Sequence, residues 1–91
     1  MTKKVAIITA AGRGMGAACA WELVAQGYQV ALMSPSGSAV ALAQELGGWG
    51  MAGSVTEPAD LERLVRETMG RYGRVDALIN NTGHPPKGDL L

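Results

Sequence analysis

Phenylalanine is missing from this 91-residue chain, and cysteine and histidine occur once each. Cys19 has no second cysteine with which to close an internal disulfide, which fits a reducing compartment. With His84 alone beside it, it cannot build a thiolate- or imidazole-rich metal site, so no metal is expected. Net charge is lacking too. Eight Lys+Arg balance eight Asp+Glu, which leaves no long-range field to gather nucleic acid or an anionic membrane. No apolar run approaches the ~18 residues of a membrane span. Met1–Lys4 lead straight into Val5–Thr9, a stretch shorter than a secretory h-region and without a cleavage site after it, so the cytoplasm is the expected location. Charged residues amount to 18%, below the ~25% usual for soluble domains. A chain of this size buries only roughly 60 to 65% of its unfolded surface, enough for one marginal core.

Glycine is what the chain has in excess, 13 residues without a collagen-like period, alongside 47% hydrophobic residues. Such glycines serve turns and close backbone approaches. Val5–Thr9 (VAIIT) is a continuous apolar, largely β-branched run, the pattern of a parallel strand buried on both faces. Gly16, Cys19, Ala20, Leu23, Val24 and Gly27 fall on one face of a helix over Gly14–Gln26, with Gly27 as its left-handed cap. Gln29–Met33 (QVALM) predicts a second strand. Ser38 is the expected cap of a short helix with the inner face Ala39, Leu42, Ala43 and Leu46, stopped by Gly47 and Gly48. Trp49–Val55 (WGMAGSV) predicts a third strand. Thr56 then caps a third helix with Pro58 in its first turn, the face Leu61, Leu64, Val65, Thr68, Met69 and Tyr72, and Gly73 at its end. Val75–Ile79 (VDALI) predicts a fourth strand, followed by loop in which Pro85 and Pro86 bar a ladder.

Strands alternating with helices imply right-handed crossovers and helices on both faces. The expected fold is α/β, a Rossmann-type doubly wound parallel sheet built as β-α-β-α-β-α-β. With the first strand central, the order is 3-2-1-4, half of a dinucleotide-binding sheet. Residues 1–91 therefore read as the N-terminal half of one domain. Gly88-Asp89-Leu90-Leu91 has the form of a helix start rather than a finish, and the fourth strand would present an unpaired edge.

Thr9-Ala10-Ala11-Gly12-Arg13-Gly14-Met15-Gly16 lies between the first strand and first helix, the place of a phosphate-binding turn. Glycines let the backbone approach a pyrophosphate, and the unpaired N–H groups of the first helical turn point at it with the positive dipole end behind them. A tight turn with no ligand is the plain alternative. No Gly-Lys-Ser/Thr follows to hold terminal phosphates and magnesium, which disfavours a nucleoside triphosphate.

The loop, read as TAAGRGMG, resembles the Thr-Gly-x-x-x-Gly-x-Gly motif of the short-chain dehydrogenase/reductase family, with Thr9, Gly14 and Gly16 matching and Ala10 in place of the first glycine. Asn80-Asn81-Thr82-Gly83 resembles the family's Asn-Asn-Ala-Gly after its fourth strand. The spacing of the two motifs across three β-α units is more specific than either alone, and the resemblance spans all 91 residues. It implies that Thr9, Ala11, Arg13, Gly14, Met15 and Gly16 meet the cofactor around its pyrophosphate. By the same resemblance Asn81, Thr82 and Gly83 line the adenosine ribose and the nicotinamide side. Ser54-Val55 stand where the family commonly has Asp-Val against adenine, and the serine carries no charge.

Cofactor choice turns on the end of the second strand, where an acidic residue would hold a ribose 2′-OH and an arginine a 2′-phosphate. The chain offers Ser34-Pro35-Ser36, and no acidic residue occurs between Glu22 and Glu45. Together with Arg13 this favours NADP(H) over NAD(H). The family's catalytic pair, Tyr-x-x-x-Lys with an upstream serine, is absent. Tyr28 and Tyr72 are followed four residues on by Leu32 and Asp76, and the resemblance then implies that the catalytic residues lie beyond Leu91. His84 reads as a loop histidine, Cys19 and Trp21 as packing residues of the first helix. The leading expectation is an NAD(P)-dependent oxidoreductase of alcohol or carbonyl substrates, forming a homo-oligomer at full length. A non-catalytic dinucleotide-binding module and an S-adenosylmethionine-dependent half-domain are the alternatives, the second disfavoured by Asn-Asn-Thr-Gly.

Overall fold

The computed structural model of the chain describes residues 3–9 and 14–80. Its elements are β1 (Val5–Thr9), α1 (Gly14–Ala25), β2 (Gln29–Ser34), α2 (Ser38–Leu46), β3 (Trp49–Ala52), α3 (Pro58–Tyr72) and β4 (Ala77–Asn80). The strands form one parallel sheet in the order β3-β2-β1-β4. This is the doubly wound α/β architecture with the first strand central.

Two cores follow from the alternation of side chains along the central strands. Ile8, Val30 and Leu32 meet Ala20 of α1 and Ala39, Leu42 and Ala43 of α2 on one face. Ile7, Ala31, Met33 and Met51 meet Leu64 of α3 on the other. Because both faces are covered, all five residues of β1 are buried, which is why a continuous apolar run, rather than an alternating one, encodes this strand. Small residues on α2 let it sit close to the sheet. A Cβ at Gly50 of β3 would stand 2.7 Å from the Ala39 carbonyl oxygen. The glycines that weaken the β propensity of this segment are thus the ones its packing requires.

Several boundaries differ from the sequence expectation, each for a local reason. β3 stops at Ala52 rather than Val55. Gly53 N–H still reaches Ser34 O at 2.8 Å, but the next N–H, of Ser54, turns to the Asp60 carboxylate instead. β4 runs Ala77–Asn80 rather than Val75–Ile79, although Asp76 N–H extends its pairing by donating to Val5 O. β2 extends to Ser34, and α1 ends at Ala25. Thr56 does not cap α3. Glu57 occupies that position, with Pro58 following, while Thr56 bonds Ser54. Ser38 does not cap α2 either. Gly37 is the cap residue, and the Ala39 N–H is satisfied from five residues back by Ser34 Oγ, at 3.1 Å. Gly47 (φ 76°) and Gly73 (φ 79°) close α2 and α3 in the left-handed conformation, as glycine readily does.

The helix faces are also narrower than their apolar patterns. On α3, Leu64 and Thr68 are buried, Thr68 donating back to Leu64 O at 2.6 Å, but Val65 and Met69 are exposed. Trp21, expected to pack, is 51% exposed on α1. Among the described residues, no helix is long and apolar enough to cross a membrane.

Candidate functional site

Parallel strands bring their C-terminal ends to one side of the sheet. The register sets Thr9 opposite Asn80 on one flank and Met33 on the other, and Ser34 opposite Ala52. Of the residues expected to bind cofactor, every one that the structure describes lies on this side. Thr9 is buried at the end of β1, and its Oγ1 lies 3.5 Å from Ile79 O. Gly14 and Met15 open α1, and Gly16 is buried in its first turn. The order β3-β2-β1-β4 makes β1 the strand from which the chain departs in both directions, the switch point outside which ligands of open α/β sheets collect. The first turn of α1 therefore opens beside that point. Ala11, Arg13, Asn81, Thr82, Gly83 and His84 lie outside the described residues.

At the end of β2 a chain of hydroxyls replaces the carboxylate. Ser34 is buried, and its Oγ donates to Ser36 O at 2.9 Å while accepting the Ala39 N–H. Ser36 is exposed; its Oγ lies 2.8 Å from Ser38 Oγ and accepts the Ser38 N–H at 3.3 Å. The Ser34 hydroxyl is thus engaged in holding the start of α2, and Ser36 is the outward member of the pair.

At the end of β3, Ser54 and Val55 sit half-buried in a turn rather than in the strand. Val55 packs against the core of the α3 face. Ser54 N–H donates to Asp60 Oδ2 at 3.0 Å, and Ser54 Oγ lies 2.8 Å from Thr56 Oγ1 and accepts the Thr56 N–H. Asp60 is a functional-site neighbour that pattern reading did not single out. Its position in the first turn of α3 suits a helix-dipole partner, and nothing in the spacing from Ser54 to Asp60 matches the three-residue capping box.

The opposite end of the sheet carries an ion pair. Arg74 Nε donates to Asp76 Oδ2 at 2.8 Å and Nη2 to Oδ1 at 2.6 Å, while the Val5 N–H donates to Oδ2 at 2.8 Å. The bond from Arg74, then that from Val5, hold the Asp76 carboxyl below its ordinary range, and Asp76 raises Arg74 in return. This clasp lies at the end of the sheet opposite the start of α1 and ties the base of β4 to β1. Among the described residues, no three His, Cys, Asp or Glu side chains gather as a metal set.

A family model, short chain dehydrogenase, matches residues 4–90. The chain belongs to the short-chain dehydrogenase family. Among curated relatives it is 42% identical over 89 residues to L-fucose dehydrogenase of Mus musculus, covering 96% of this chain and 33% of that protein. It is 39% identical over 83 residues to the 3-oxoacyl-(acyl-carrier-protein) reductase of Escherichia coli, covering 88% and 34%. The crystal structure of 3-ketoacyl-(acyl-carrier-protein) reductase from Brucella melitensis complexed with NADH superposes with a TM-score of 0.80 at 30% identity, over 85% of this chain and 33% of that one. The short-chain dehydrogenase chain thus spans about a third of the length of these relatives.

Proposed function

We propose that residues 1–91 form the cofactor-binding N-terminal part of an NAD(P)(H)-dependent oxidoreductase acting on an alcohol or carbonyl. The observation that carries this is the start of α1 at Gly14, directly off the switch strand β1, with Gly16 buried in the first turn. A glycine there keeps the approach to the helix N–H groups open for a pyrophosphate. Gly14, Met15 and Gly16 would meet that group, with Thr9, Ala11 and Arg13 around it and Asn81, Thr82 and Gly83 beyond the end of β4. Ser34 and Ser36 would border the ribose, and Ser54 and Val55 the base. When bound, the nicotinamide supplies hydride exchange. Proton exchange at the substrate oxygen belongs to a Tyr-x-x-x-Lys pair that these 91 residues do not contain. The relatives' names, a sugar dehydrogenase and oxoacyl reductases, support the alcohol/carbonyl class.

NADP(H) is favoured over NAD(H), because no carboxylate stands at the end of β2 to repel a 2′-phosphate and Arg13 can give it a charge-assisted hydrogen bond. Calorimetric titration with NADPH and NADH tests both points. Gly14→Val should weaken dinucleotide binding at least tenfold, about 1.4 kcal/mol, and Arg13→Ala should lower the NADPH/NADH affinity ratio. Unchanged binding in the first variant rejects the phosphate turn, and an unchanged ratio in the second rejects the cofactor assignment.

A further inference from the structure

We infer that Asp60 is a positioning residue for the adenine end of the cofactor groove; this rests on the dinucleotide reading above. If the pyrophosphate lies over α1 at the end of β1 and the ribose at the end of β2, the base falls one strand further out, at the turn that follows β3. That turn is held from α3. The Gly53 N–H makes the last ladder bond, to Ser34 O at 2.8 Å, and the next amide, of Ser54, has no strand to pair with. Asp60 reaches back across the turn, and its Oδ2 accepts the Ser54 N–H at 3.0 Å.

The absence of a side chain at residue 53 leaves room for this approach. A Cβ on Gly53 would stand 2.9 Å from Met33 Sδ and 3.2 Å from both Cβ and Cγ of Asp60. The bond is not a capping box either, since its donor precedes the Glu57 cap of α3 by three residues. Asp60 therefore serves the turn rather than its own helix end.

The rest of Ser54 is occupied as well. Its carbonyl accepts the Glu57 N–H at 3.1 Å, and its hydroxyl bonds Thr56. At the position where a base-reading carboxylate was expected, the backbone N–H and C=O of Ser54 are thus tied within the turn and its hydroxyl is drawn toward Thr56. Among the described residues the Val55 N–H is the first donor of the turn without a protein partner, and the half-buried Val55 side chain packs against the core cluster that includes Leu64. A donor fixed in this way suits adenine, which presents a lone pair at ring N1. Hypoxanthine presents an N–H at the same place. Asp60 touches neither base; it acts by fixing the peptide from which Val55 donates.

The test is equilibrium binding of NADPH and of its hypoxanthine analogue to the 91-residue chain. The wild-type chain should prefer the adenine form. Asp60→Ala should weaken NADPH by about tenfold, the scale of a charge-assisted bond, and leave the hypoxanthine form nearly unchanged, so that the preference collapses. Asp60→Asn, whose amide oxygen can still accept the Ser54 N–H, should restore it. Asp60→Glu keeps the charge but displaces the carboxylate, and should lose the preference even if the alanine variant fails to fold. Equal weakening of both ligands, or a preference that survives Asp60→Ala or Asp60→Glu, overturns the inference. A wild-type chain that binds neither ligand removes the dinucleotide reading itself. One that binds both equally leaves that reading intact and removes only the role of Asp60.

Discussion

The two flanks of β1 are built from similar residues and end up in different surroundings. Toward β2, every residue from Val30 to Ser34 is buried, because α1 and α2 cover one face of the sheet and α3 the other. Toward β4, that strand has only β1 as a neighbour among the described residues; Leu78 is 62% exposed, and Val65 and Met69 of α3 are exposed too. The helical period of α3 and the apolar run of β4 are as plain in the sequence as those of β2. What differs is the presence of a covering layer, which periodicity does not encode. An apolar stripe states that a surface is made to be buried, not that the residues in hand bury it.

Substitution on the two flanks should separate them by the widest margin. Leu32→Ala removes a side chain packed between β1, β2 and the helices, and should cost about 2 to 5 kcal/mol. Leu78→Ala should cost well under 1 kcal/mol in the same urea titration, since little is lost from a side chain already in water. Comparable losses would mean that β4 is covered in solution. Self-association reads that cover directly. An edge strand with the sequence Ala77-Leu78-Ile79-Asn80 carries no charge or proline to discourage pairing. The 91-residue polypeptide should therefore sediment as more than a monomer and show no turnover in a nicotinamide absorbance assay. Leu78→Lys should shift it toward monomer. A well-folded monomeric wild type, or any turnover, contradicts this.

The smallest effect concerns the base of β4. Since Asp76 titrates lower in the folded chain than its unfolded value of about 3.9, the stability it contributes is present above that value and is lost as pH falls through the lower, folded one. Acid unfolding of wild type and Asp76→Asn should therefore differ at neutral pH and converge in strong acid. Parallel curves across that range would mean the clasp with Arg74 and Val5 is not linked to folding.

The residues that were legible are those whose environment is dictated by neighbours close in sequence or by a repeating pattern. Val5–Thr9 is read to its last residue, because a strand buried on both faces is a plain apolar run, and the strand order follows from the β-α alternation. Gly47 and Gly73 announce their helix ends through the positive φ only glycine adopts readily. The illegible places are those where a side chain intercepts a backbone group. Ser34 supplies the bond expected of Ser38, and Asp60 ends β3 three residues early. Both are polar residues bonding across a turn at spacings that no short motif marks. At the candidate site, the start of α1 directly after β1 was visible as a pattern, whereas the support for Ser54 depends on Gly53 and Asp60 meeting in space.

Asp76 also links the two ends of the described chain in time. Its peptide N–H donates to Val5 O and its carboxylate accepts the Val5 N–H, a contact between residues separated by 71 positions. Of the four described strands, β1 is thus the first to be synthesised, and its β4 side is the last to be paired. At roughly 5 to 20 residues per second on the ribosome, the β4 side of β1 stays open for about 4 to 14 s after Val5 is made. During that interval the β1–α1–β2 crossover can form by more local closure, but the β1–β4 ladder must await the longest closure among the described strand pairs. β1, off whose end α1 begins, is half-paired until then, and the side of the sheet that faces β4 is set late in the folding of the described residues.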